Sequence, residues 1–112
     1  MGRPQRSRRI CCEPEFSSFI PEEKQFTDTV NLSTDEYEVI RIVDFEKQTH
    51  EAAAARMDIS RTTATEIYES ARYKIADCIV NGKKMVISGG NYRLCNSTPP
   101  RPCGDKCKKL NK

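Results

Sequence analysis

Between residues 33 and 80 the chain carries no glycine and no proline, and serines and threonines recur there just ahead of apolar residues spaced three and four apart. In a chain of 112 residues this pattern constrains the fold more than any other, because it calls for consecutive amphipathic helices with capped starts. Ser33-Thr34-Asp35-Glu36 reads as a capping box: the Ser33 hydroxyl accepts from the third helical amide while Glu36 reaches back to the Ser33 amide. The acids in that turn also suit the positive end of the helix dipole. Tyr37, Ile40 and Val43 then share one face, widened by Val39, Ile42 and Phe45, and the helix is expected to end near Lys47. Thr49 caps a second, alanine-rich helix that runs to Met57. Ser60 caps a third, with Ala64, Ile67, Tyr68, Ala71, Ile75 and Ile79 as its apolar stripe and Asn81-Gly82 as its left-handed stop.

Composition shifts on either side of this block. Residues 1–31 read as a basic, largely irregular arm, residues 32–94 as one folded domain, and residues 95–112 as a Cys/Lys-rich flexible tail. Beyond the third helix, Met85-Val86-Ile87 and Tyr92-Arg93-Leu94 flank Ser88-Gly89-Gly90-Asn91, the pattern of a β-hairpin. A glycine pair can also cradle phosphate, but no helix follows to supply its dipole. Arg9-Ile10-Cys11-Cys12 is a candidate further strand. The predicted architecture is mainly α: three helices, the last one long, with a small C-terminal hairpin that an N-terminal strand can join.

Hydrophobic residues make up 37% and charged residues 31% of the chain, enough for one modest core. No apolar run reaches membrane-spanning length. The basic start, Met1 to Arg9, leads into no apolar stretch of a secretory signal. A cytoplasmic protein with no membrane partner is therefore expected. With one histidine, no tryptophan, and no nucleophile–base pair or carboxylate dyad, binding is expected rather than catalysis.

Charge is segregated along the chain. Residues 1–12 hold four arginines and no acid, residues 13–58 twelve acids and four bases, and residues 59–112 eleven bases and four acids. Basic segments set apart from acidic ones suit contact with a polyanion.

Residues 50–69 fit a helix-turn-helix. Small Ala53 and Ala54 let the second helix lie close under the third, and Met57 and Ile59 straddle a tight turn and point inward. Asp58 sits where the chain must take a positive φ, a position that aspartate tolerates better than most residues. Ala64 and Ile67 pin the third helix to the core, leaving its first turns to face a major groove. On that face Arg61, Thr62, Thr65 and Glu66 are the candidate base readers: arginine for guanine, threonine for thymine methyls or phosphates, glutamate for cytosine. Thr49, Ser60, Arg72, Lys74 and the N-terminal Arg3, Arg6, Arg8 and Arg9 are candidate phosphate contacts. The partner implied is double-stranded DNA, and a two-fold site on it would call for a homodimer.

Arg3-Pro4, Arg8-Arg9-Ile10-Cys11, Pro14, Asp35-Glu36-Tyr37-Glu38-Val39-Ile40-Arg41, Glu51-Ala52-Ala53-Ala54, Ile59-Ser60-Arg61, Glu69-Ser70-Ala71-Arg72, Asn81-Gly82 and Gly89-Gly90-Asn91-Tyr92 occur in this order. Together they resemble the domain of unknown function 134 family of small prokaryotic proteins. The resemblance, over residues 1–94, implies a helix-turn-helix like that of sigma factor region four and a role in transcription regulation. Three positions depart from the family pattern. Asp58 replaces a turn glycine, Ala64 a larger apolar residue, and Ser7 a residue that is often cysteine.

Six cysteines in a chain without a secretory signal are expected as reduced thiols. DNA binding itself requires no cofactor. As an alternative, Cys103 and Cys107 with Cys95, completed by Cys11 or Cys12, offer thiolates to zinc or an iron–sulfur cluster in a redox or metal sensor. Adjacent Cys11 and Cys12 on a strand would face opposite ways, which works against one shared site. Cys78, beside Ile75 and Ile79, is expected to pack, and His50 to be an exposed first-turn residue. A further alternative is a protein adaptor that contacts RNA polymerase.

Overall fold

The computed structural model describes residues 7–23 and 28–95. Among these the order is β1 (Arg8–Ile10), β2 (Ser18–Phe19), β3 (Thr29–Leu32), α1 (Thr34–Ile40), α2 (His50–Met57), α3 (Arg61–Asn81), β4 (Lys84–Ile87) and β5 (Tyr92–Leu94). The three helices stand where their caps put them, but the fold is mixed α/β rather than mainly α. Strands of two to four residues are too short to leave a readable alternation. No helix among the described residues is long and apolar enough to cross a membrane.

The capping box of α1 closes as expected, with Glu36 N donating to Ser33 Oγ at 3.4 Å and Ser33 N to Glu36 Oε1 at 2.9 Å. After Ile40 the helix widens into a π-helical turn, Arg41–Phe45, closed by a bond from Glu46 N to Arg41 O of 2.9 Å. The wider turn shifts the helical phase of its later residues. Phe45, expected on the buried face, is 81% exposed, whereas Val39 and Ile42 are fully buried.

Thr49 Oγ1 accepts from Ala52 N at 3.0 Å and Ser60 Oγ from Thr63 N at 3.1 Å, so both later helices are capped by the expected side chains. Asp58 takes φ 60° and ψ 47°, the left-handed conformation the turn demands, and Gly82 ends α3 at φ 62°. Two buried clusters lie along α3. One joins Val39, Ile42, Ala53 and Met57, with Ile59, Ile67 and Tyr68 against it; the other joins Leu32, Ala71 and Ile87. The stripe of α3 is shorter than its spacing suggests. Ala64 and Ala71 are buried, but near the end Cys78 turns inward and Ile79 is 75% exposed.

The C-terminal hairpin does not form. β4 is the centre of a three-stranded sheet, antiparallel to β2 and parallel to β3, while β5 pairs in parallel with β1 in a separate two-stranded sheet. With both edges of β4 taken, β5 has no place beside it. The glycine loop instead crosses the start of α1, where Thr34 N donates to Gly89 O at 3.0 Å. Gly90, at φ 100°, lies so close that a Cβ would sit 2.7 Å from Asp35 Oδ1. The N-terminal strand does join β5, with Ile10 opposite Leu94.

A buried chain of charges locks these parts together. Glu38, 2% exposed, receives Arg41 through both oxygens at 3.0 and 2.9 Å and accepts the Cys11 amide at 2.9 Å. Arg41 also binds Glu46, which in turn accepts from Arg56 of α2 at 2.8 Å. Burial opposes charge on Glu46, but the bonds and proximity of Arg56 and Arg41 outweigh it and hold the carboxyl below its ordinary value.

Candidate functional site

The first turns of α3 form the surface on which the predicted base readers meet. Ser60 ends the turn in extended conformation and caps the helix, so Arg61 and Thr62 begin the first turn directly after it. Ala64, in the same turn, is buried and fixes which side faces out. Arg61, Thr62 and Glu66 are exposed, and among the described residues no hydrogen bond or ion pair engages the Arg61 guanidinium. Thr49 and Ser60 are exposed as well, each with its side chain on its own helix start.

Thr65 differs from the other three. It is half-buried, and its hydroxyl lies 2.9 Å from His50 Nδ1. The His50 ring is tilted against Tyr68, with centroids 4.7 Å apart. Tyr68 Oη donates to Asp44 Oδ1 at 2.9 Å and accepts from Arg72 Nη1 at 2.7 Å, and the Arg72 guanidinium lies 5.5 Å from the Tyr68 ring centre. The bond to Tyr68, followed by the charges of Tyr68 and Asp44, raises the Arg72 pKa. His50, expected as an exposed first-turn residue, is thus half-buried and ties α2 to α3 at the edge of this face. Nothing local signals its role, since Thr65 is fifteen residues away.

The other predicted cations have structural partners. Lys74 Nζ donates to Glu36 at 2.8 Å and to Asn31 O at 3.0 Å. Burial opposes charge on Glu36, yet the bonds from Lys74, Ser70 and the Ser33 amide outweigh it and hold its carboxyl below the ordinary value. Arg9 donates to the Arg56 and Ala55 carbonyls of the last turn of α2 at 2.9 and 3.2 Å, the Ala55 carbonyl also accepting from Asp58 N at 3.3 Å. Arg8 lies 3.8 Å from the buried Asp35. Arg3 and Arg6 fall outside the described residues. Arg93, which carried no predicted role, donates to Asp58 at 2.7 Å and to the Ser7 hydroxyl at 3.2 Å and carbonyl. Two of the positions that depart from the family pattern are therefore joined through one side chain.

The cysteines are only partly assembled. Cys11 and Cys12 follow β1 in a bend rather than lying on the strand, so their thiols approach to 3.8 Å instead of facing opposite ways. Cys95 N donates to Ile10 O at 2.8 Å, which brings Cys95 to the same end of the β1–β5 sheet. Among the described residues no group of three metal-ligating side chains forms. Cys103 and Cys107 lie outside them. Cys78 is buried, and burial, followed by the Asp77 charge, raises its thiol pKa, which suits a packing role.

Comparison with known proteins places the chain. It is 43% identical to a UPF0251 protein of Desulfitobacterium hafniense over 111 residues, covering 97% of this chain and 88% of that one. A UPF0251 protein of Caldicellulosiruptor bescii is 46% identical over 96 residues, covering 86% and 68%. One from Methanococcus maripaludis is 40% identical over 111 residues, covering 96% and 85%. No solved structure matches. The family model described as protein of unknown function DUF134 matches residues 1–95. The chain therefore belongs to this DUF134 family, whose relatives in bacteria and archaea carry the name UPF0251.

Proposed function

We propose that this protein binds double-stranded DNA in a sequence-specific way and regulates transcription, with α2, the Asp58–Ser60 turn and α3 acting as a helix-turn-helix. The observation that carries the reading is the exposure of Arg61 and Thr62 at the very start of a 21-residue helix, with the Arg61 guanidinium unengaged among the described residues. In the major groove Arg61 suits two parallel hydrogen bonds to guanine, Thr62 a thymine methyl, and Glu66 a cytosine amino group. Thr65, its hydroxyl held by His50, acts at the edge of this face. Phosphates fall to the capped starts of α2 and α3 at Thr49 and Ser60, where free amides point outward, and to Arg72. Lys74, Arg8 and Arg9, which also hold partners within the fold, are further phosphate candidates.

The test measures binding to duplex DNA across salt concentrations. Arg61→Ala should relax preference at one base pair at a cost of about 1–3 kcal/mol, while Arg72→Ala should weaken all sequences alike and lower the salt slope by about one. Unchanged binding in both variants would place the DNA face elsewhere.

A further inference from the structure

We infer that two copies of this chain pair about a two-fold axis through the groove between β2 and the C-terminal half of α3. The groove has a volume of about 420 Å³, and Phe19, Ile20, Ile75, Cys78, Ile79 and Met85 line it. Its apolar walls are not closed off: Ile20 is 57% and Ile79 75% exposed, and Val80 beside them 78%. Phe19, Ile20 and Ile79 thus present exposed apolar side chains along one groove, the kind of surface that a partner can cover.

Two observations favour a second copy as the occupant. First, the groove carries an acid and a base, Glu23 and Lys83. A two-fold interface brings one patch against itself, so an acid and a base on the same patch can meet across it. Lys83 gives one bond to Asp77 at 3.0 Å, and an ammonium has three donors, so two remain for the partner's carboxylate. Second, the rest of the chain has little to cover the groove with. Residues 96–112 hold one large aliphatic side chain, Leu110, residues 24–27 one aromatic, Phe26, and residues 1–6 only Met1 and Pro4 as apolar side chains. An apolar centre with a charged rim is the usual anatomy of a protein interface.

Pairing here does not depend on the DNA reading, but its consequence for the binding site rests on it. Arg61 lies 18 residues ahead of Ile79, about 27 Å along the helix axis. Contact near Ile79 with the two α3 helices running in opposite directions would set the Arg61 ends up to about 54 Å apart, a span that includes half-sites separated by about 34 Å, one turn of the duplex.

Sedimentation equilibrium of the full chain, from low to high micromolar concentration, reads the pairing directly. The wild type should sediment at twice the mass of one chain. Ile79→Glu and Ile20→Glu should each sediment as monomers with unchanged far-ultraviolet circular dichroism, because both side chains are exposed in the single chain. Glu23→Lys and Lys83→Glu should each weaken pairing, and the two together should restore it. A wild type that is monomeric throughout overturns the inference and leaves the groove to another segment of this chain or to an unrelated partner. A dimer that survives Ile79→Glu and Ile20→Glu overturns it as well. Assayed on DNA, Ile79→Glu should keep half-site binding and lose about 100-fold or more on a two-fold site. A dimer that binds no DNA would instead count against the DNA reading and leave the pairing standing.

Discussion

Asp58 does two jobs with one residue: its backbone makes the left-handed turn between α2 and α3, and its carboxylate holds Arg93 at 2.7 Å. The two jobs separate by substitution. Asp58→Gly loses a half-exposed ion pair, worth about 0–1 kcal/mol, and gains a residue with no left-handed penalty, so its urea midpoint should move little. Asp58→Ala loses the pair and adds a left-handed cost of about 1–2 kcal/mol, so its midpoint should fall clearly below that of Asp58→Gly. Equal effects would mean the backbone conformation carries no cost at this turn. Arg61 is the opposite kind of residue. Its side chain is exposed, so Arg61→Ala should leave stability within about 0.5 kcal/mol while changing DNA preference.

At the scale of elements, the helices were legible in the sequence because their signals are local. Ser33 and Glu36, Thr49 and Ala52, and Ser60 and Thr63 each interact within one turn. The sheets were not, because their pairings are distant: Arg8 lies opposite Tyr92 and Ser18 opposite Val86. Two apolar runs around a glycine turn look alike whether they pair with each other or with other strands, and only the occupied edges of β4 decide it. The candidate site divides in the same way. Exposure of Arg61, Thr62 and Glu66 follows from helical phase, whereas the partners of His50, Lys74, Arg9 and Arg93 depend on contacts no spacing encodes. Glu38 is the clearest case, since a helical glutamate reads as solvated surface yet binds Arg41 and the Cys11 amide in the interior. Removing one member of a buried pair costs about 3–5 kcal/mol, and chemical denaturation of Glu38→Ala should find a loss of that size. A loss below about 1 kcal/mol, the range of exposed pairs, would mean that water replaces the lost partners.

For the whole molecule, the fold depends on carboxylates kept ionised. Glu36 joins α1 to α3 through Lys74 and Ser70, and Glu46 joins the π-helical turn to α2 through Arg56. Both carboxyls titrate below their ordinary values in the folded protein. Their stabilisation is therefore complete above the unfolded carboxylate value of about 4.3 and is lost as pH falls through the lower folded values. Urea midpoints should drop on acidification below about pH 5, and the drop should be smaller in Glu36→Gln and Glu46→Gln. An equal drop in both variants would place the acid sensitivity in other groups. The same internal pairing accounts for how charge is arranged on the molecule. Three of the twelve acids in residues 13–58, Glu36, Glu38 and Glu46, are bound to Lys74, Arg41 and Arg56, while Arg61 and Arg72 remain exposed at the proposed DNA face.

Selection of random duplexes by the purified full-length protein at physiological salt tests that face most directly. The account predicts an enriched motif with at least one guanine whose enrichment disappears in Arg61→Ala, while the rest of the motif persists. Recovery of no motif, or of the same motif with equal strength in Arg61→Ala, would contradict it.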